Sequence, residues 1–237
     1  MGMRHVDYIL SNEVPTINHG DVSYFIYLLS FILSIVLVIY FRTHLRQHIK
    51  KVYIIFFLLA VFQRVLINFW YIYNDFYTLD NSLPLQICRI VVWLIIIQCI
   101  LRTNILNHVI FYFGLFAAAA FIYPIGILPP YNIAGVAFFI MHAINVLFPL
   151  VMYLVGEFKP SIKGALIASG LFAGYYLMMV FTNDITGGNY FFIEKRPFLH
   201  NLSLFHYSII NIVGTTLSFI LVATIFKWID RFRTVIE

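Results

Sequence analysis

Seven times along its length this chain holds an almost uninterrupted apolar stretch about as long as a bilayer is thick. A helix needs roughly 20 apolar residues to cross the hydrocarbon core. Such stretches run over 22–40, 52–73, 83–101, 108–125, 133–155, 162–182 and 204–228. Few folds remain open to such a chain. Inside lipid every backbone N–H and C=O needs an internal partner, which leaves helices and closed barrels. Continuous runs without alternation select helices. Composition agrees: 62% of the 237 residues are hydrophobic and 11% are charged, against roughly 25% charged in soluble domains. The expected fold is an all-α membrane protein, a bundle of about seven transmembrane helices. One polytopic domain spans 1–237, with the bundle at 21–228 and the longest external loop at 183–203.

Charge then excludes some partners and assigns an orientation. The net charge of +5 is scattered, with no basic cluster interleaved with aromatics, so no nucleic-acid partner is expected. Both cysteines lie on one run, 11 residues apart, too far for a disulfide along a helix. The first 21 residues are polar and slightly acidic (Asp7, Glu13, Asp21), so no cleavable signal peptide is expected. With the N-terminus outside, the cytoplasmic segments hold ten cations: Arg42, Arg46, Lys50, Lys51, Arg102, Lys159, Lys163, Lys227, Arg231 and Arg233. The external segments hold Arg4, Lys195 and Arg196. Ten against three follows the positive-inside rule with the C-terminus cytoplasmic. The expected location is the cell membrane and the expected partners are its lipids.

Proline and glycine punctuate this plan. Pro84 suits the first turn of the third helix, where its missing N–H costs nothing. Pro129 and Pro130 fall between the fourth and fifth helices. Pro149 lies inside the fifth and frees a carbonyl one turn earlier, near Asn145. Gly187, Gly188 and Asn189 break the chain after the sixth.

Polar groups within the runs are few, and at membrane depth they usually face a bundle interior or a functional site. The second run carries Gln63, Arg64 and Asn68; the third Gln86, Cys88, Arg89, Gln98 and Cys99; the fifth His142 and Asn145; the seventh His206, Asn211, Thr215 and Thr216. At about 1.5 Å per residue, Cys88 lies ~8 Å, His142 ~13 Å and Arg64 ~14 Å below the outer ends of their helices. The expectation is one polar cavity opening outward over these groups.

Each candidate has two readings. Cys88 is a nucleophile, its thiolate favoured by Arg89 and a helix N-terminus, or a small core hydrophobe. Cys99, ~16 Å deeper on nearly the same face, reads as packing. His142 is the base that takes the thiol proton, or an interhelical hydrogen-bonding group. Arg64 and Arg89 have no Asp or Glu within the runs to pair with. They bind an anionic group such as a lipid phosphate, or Arg89 turns to Asp75 or Asp80 at the surface. Within the runs no two histidines stand four apart and no acid occurs, so no metal site is expected, nor is a diffusible cofactor.

The ordered set Leu83-Pro84-Leu85 with Cys88, then His142, then Gly187-Gly188-Asn189-Tyr190 with Pro197 resembles the YwaF family of bacterial integral membrane proteins, related to eukaryotic transmembrane protein 164. The likeness covers about 81–228. It implies fatty-acyl transfer between phospholipids, with Cys88 carrying the acyl group as a thioester and His142 assisting. The bacterial pattern often has His at position 86, where this chain has Gln86. On a helix that position points away from Cys88, which suits an orienting or substrate-binding role. The candidate substrate-binding set is Arg64, Asn68, Gln86, Arg89, Asn145, Asn189, Tyr190 and His206. The rival readings are a non-catalytic lipid or small-molecule binder or carrier, and a transacylase or hydrolase dependent on His142 or His206.

Overall fold

Runs of Leu, Ile, Phe and Val that cannot leave backbone groups unpaired become helices, and the computed structural model, which describes residues 5–236, is built of them. Arg4, counted above among the external cations, lies outside the described residues. The order is α1 (His5–Leu10), α2 (Val22–Tyr40), α3 (Arg42–Gln47), α4 (Ile49–Tyr73), α5 (Ile87–Leu101), α6 (Asn104–Ile122), α7 (Ile133–Val155), α8 (Ile162–Thr186) and α9 (Leu204–Ile236), with a 3₁₀ turn at Tyr190–Phe192. Among the described residues there is no strand, and six helices are long and apolar enough to cross a membrane: α2, α4, α6, α7, α8 and α9 as far as Phe232.

Helix α7 is the hub, packing against α2, α3, α4, α5 and α6, while α8 joins through α6 and carries α9. The shared core is mostly apolar, with Ala60, Val91, Ile110, Phe148, Met152 and Phe172 fully buried. Helices α2 and α9 bury little of their length. Their exposed Leu, Ile and Phe suit contact with hydrocarbon rather than water. Gly114 on α6 lets α7 come close: a side chain there would meet the Asn145 carbonyl oxygen, the one Pro149 releases from the helical ladder.

One end of the bundle gathers the segments 11–21, 74–86, 123–132 and 187–203. Asn132 donates to the Tyr8 and Ser11 carbonyls, Ile17 N–H donates to the Ile127 carbonyl, and Tyr190 Oη donates to the Leu79 carbonyl. The opposite end carries 41–48, 102–103 and 156–161.

The third apolar run departs from expectation. Its helix begins at Ile87, not near Leu83, with Gln86 as an extended N-cap (φ −61°, ψ 137°). Pro84 therefore precedes the helix and is not in its first turn. Side chains have taken the carbonyls a longer helix would need. Arg89 Nη1 donates to the Asn81 and Leu83 carbonyls at 2.7 and 3.0 Å. Tyr175 Oη donates to the Leu85 carbonyl at 2.9 Å. The 15 residues of α5 measure about 22 Å, shorter than the ~30 Å hydrocarbon core.

Candidate functional site

The late start of α5 decides where the thiol sits. Cys88 is the second residue of the helix, in its first turn. The Cys88 carbonyl accepts from Asn145 Nδ2 at 2.8 Å. Asn145 is the thirteenth residue of α7, about 18 Å from that helix's start. Cys88 is thus level with the middle of α7, more than twice the expected depth. Its first-turn N–H, like that of Ile87, has no intrahelical acceptor.

His142 stands one turn from Asn145 on α7 and is buried. Its Nδ1 lies 2.8 Å from the Phe138 carbonyl. A carbonyl only accepts, so Nδ1 carries the proton. The neutral ring then keeps its lone pair on Nε2, the form a base needs. Asn145 is fully buried and its Oδ1 has no hydrogen-bond partner. Arg89 lies within electrostatic reach of Cys88, His142 and Arg64.

The two arginines have different surroundings. Arg89 meets neither Asp75 nor Asp80. Besides the two carbonyls, Nη2 donates to Tyr71 Oη, over whose ring the guanidinium lies at 5.3 Å. Of its five N–H donors, two hold the Asn81 and Leu83 carbonyls and a third the Tyr71 hydroxyl, which leaves two for a phosphate. Arg64 is buried at 7% exposure. Its Nε donates to Gln63 Oε1 at 3.0 Å, and among the described residues no carboxylate pairs with it. Gln63 in turn donates to the Ala137 carbonyl on α7, and Asn68 Nδ2 donates to the Arg64 carbonyl, so Asn68 braces its own helix.

The remaining candidates divide into a latch and an outlier. Gln86 reaches the 187–203 segment: Nε2 donates to the Asn189 carbonyl at 3.3 Å and Oε1 accepts from Phe191 N–H at 3.0 Å. Asn189 folds its own turn, Oδ1 accepting from Glu194 and Lys195 N–H. Tyr190 is buried at 1% exposure. His206 stands apart, exposed at the start of α9 with Nδ1 2.7 Å from Ser203 Oγ. Cys99 packs in the apolar core.

Two cavities open in the loop-rich end. One, of about 650 Å³, is lined by Asn189, Phe192, Lys195, Arg196 and His200 among others. The other, of about 550 Å³, is lined by Asp80, Asn81, Asn183, Asp184 and Gly188 among others. Neither is lined by Cys88, His142, Arg64 or Arg89. Tyr190 and Ile193 anchor the 187–203 segment as buried residues.

The TMEM164 family pattern covers residues 16–229. The chain belongs to the TMEM164 family. With its six long apolar helices, this TMEM164-family protein is a multi-pass integral membrane protein. The curated proteins and the solved structures compared with it give no match.

Sequence reasoning missed three residues around the site of this TMEM164-family chain. Tyr71 accepts from Arg89, and Tyr175 donates to the Leu85 carbonyl, so each holds a polar group near Cys88. Asn183 clamps Tyr190, accepting from its N–H at 2.7 Å and donating to its carbonyl at 3.0 Å. A polar residue one place beyond an apolar run was the available signal. Outside the runs, His44 and His48 stand four apart and stack at 4.3 Å. Among the described residues no three His, Cys, Asp or Glu side chains gather to hold a metal.

Proposed function

We propose that this protein transfers fatty-acyl groups between phospholipids through a thioester on Cys88, with His142 as the base. The observation that carries the reading is the Asn145–Cys88 hydrogen bond, which ties the start of α5 to α7 one turn from His142. The family resemblance supplies the chemistry. His142 Nε2 takes the thiol proton as sulfur attacks an acyl ester carbonyl. The ester C–O bond breaks, the lysophospholipid oxygen leaves with the proton from His142, and the acyl group stays on sulfur. A second lipid hydroxyl then attacks the thioester, giving its proton to His142, and the thiol is restored. No standing thiolate is needed, because proton transfer accompanies attack. The first-turn N–H groups of Ile87 and Cys88 are suited to the oxyanion.

In this reading α5 and its entry segment complete a seventh crossing, with the N-terminus outside, and the reaction occurs in the outer half of the cell membrane. Arg64 holds an anionic lipid group, while Arg89, Gln86 and Asn145 position backbone. A second reading, a non-catalytic lipid binder, draws on Arg64 alone, a buried cation with an amide as its side-chain partner. Intact mass spectrometry separates the two. Purified protein given phospholipid should gain one acyl mass that hydroxylamine removes, and Cys88→Ala should gain none while Cys99→Ala still does. Wild-type protein that never gains the adduct overturns acyl transfer and leaves the binder.

A further inference from the structure

The turn after α8 contains a residue held in a conformation it resists. Phe191 and Phe192 both have left-handed backbone, with φ of 57° and 52°. For a bulky L-residue this brings Cβ against the carbonyl. Such geometry persists only where the surroundings impose it. Here Asn183 clamps Tyr190 on one side, and Ile193 is fully buried on the other. Phe191 between them is half-buried. Its ring lies against four others: Phe116 on α6 at 5.4 Å, and Phe172, Tyr175 and Tyr176 on α8 at 5.3, 5.7 and 5.7 Å.

This cage adjoins the thiol. Tyr175, one of its walls, donates to the carbonyl of Leu85, three residues before Cys88, and lies within electrostatic reach of the sulfur. The cage offers nothing to a headgroup. The Tyr175 hydroxyl is committed to Leu85, and the Tyr176 hydroxyl meets Ser208 on α9 at 3.4 Å. What remains is ring faces, which suit a run of methylenes.

We propose that the Phe191 cage is the binding site for a lipid hydrocarbon chain, and that Phe191 is a built-in plug that occupies it in the closed state. The inference rests on the acyl-transfer reading for the chain's place next to Cys88. Strain explains why the plug can leave: the backbone relaxes when Phe191 swings out, while Tyr190 and Ile193 keep the turn anchored.

The test is photocrosslinking in liposomes of phosphatidylcholine carrying a diazirine on one acyl chain, with crosslinks mapped to peptides. Wild type samples the open state, so crosslinks at Phe116, Phe172 and Tyr176 should already be detectable. Phe191→Ala should raise them roughly tenfold, because the ring that competes with the lipid chain for the cage is gone. Phe191→Leu should give an intermediate rise. The same cage crosslinks should appear in Cys88→Ala protein. A thioester on Cys88 without cage crosslinks would sink the plug alone, and cage crosslinks without a thioester would sink acyl transfer alone. Absence of cage crosslinks in wild type, or no rise in either folded Phe191 variant, overturns the proposal.

Discussion

The side chain of Gln86 is a latch between two backbone segments. Replacing it by Ala removes an acceptor for Phe191 N–H at 3.0 Å and a donor to the Asn189 carbonyl at 3.3 Å. A neutral hydrogen bond contributes about 0.5–1.5 kcal/mol, and the longer of the two belongs at the low end. The sum is about 1.5 kcal/mol, which moves an equilibrium roughly tenfold. Phe191 is already strained at φ 57°, so this loss should fall on local opening of the turn rather than on the bundle. Hydrogen exchange followed by mass spectrometry reads it directly. In Gln86→Ala, amides at 189–193 should exchange roughly tenfold faster, while those in the middles of α6 and α7 keep the wild-type rate. Gln86→Glu keeps an acceptor for Phe191 and loses the donor, so Phe191 itself should stay the better protected of the two variants. Exchange at 189–193 within twofold of wild type in Gln86→Ala would show that the aromatic packing, not the amide, holds the turn.

Two further substitutions test the entry to α5. Arg89→Gln removes the cation that holds the Asn81 and Leu83 carbonyls, and should lower the apparent Tm in detergent by roughly 5 °C; an unchanged Tm means those carbonyls find other partners at no cost. Gly114→Ala drives a methyl group into the Asn145 carbonyl. It should part α6 from α7 at a cost of about 2 kcal/mol and speed alkylation of Cys88 but not of Cys99, a contrast that thiol labelling with intact mass readout checks.

Much of the fold was legible because apolar length and polar caps coincide. The run at 22–40 begins just after Asp21, and that at 133–155 sits between Asn132 and Gly156; both match their helices. Asn132 is an N-cap whose side chain accepts from Ala134 N–H, and Gly156 takes the left-handed C-cap at φ 88°, so local chemistry sets both ends. The break after α8 was equally local, at Gly187 with φ 69°. The start of α5 was not local. Leu83 and Leu85 look like helix interior, and what removes them from the helix are Arg89 and Tyr175, the latter 90 residues away. The same limit applied to the candidate site. Cys88, His142 and Arg64 stood out as costly groups at depth, but the role of Gln86 depends on a turn more than 100 residues downstream.

The break at 83–86 has a chemical consequence that composition alone does not carry. If α5 ran on through Leu83, Ile87 N–H would bond to the Leu83 carbonyl and Cys88 N–H to the Pro84 carbonyl. The thiol would then be one more side chain on an apolar helix. With Leu83 held by Arg89 and Leu85 by Tyr175, those two N–H groups stay free at a helix N-terminus, where the macrodipole is positive. The Asn145 bond sets that N-terminus beside the middle of α7, away from bulk water, where fixed dipoles act most strongly. Arg89 therefore bears on Cys88 mainly through backbone. In the acyl-transfer reading proposed above, its guanidinium keeps the helix from starting early and so leaves free the donors that a developing oxyanion requires.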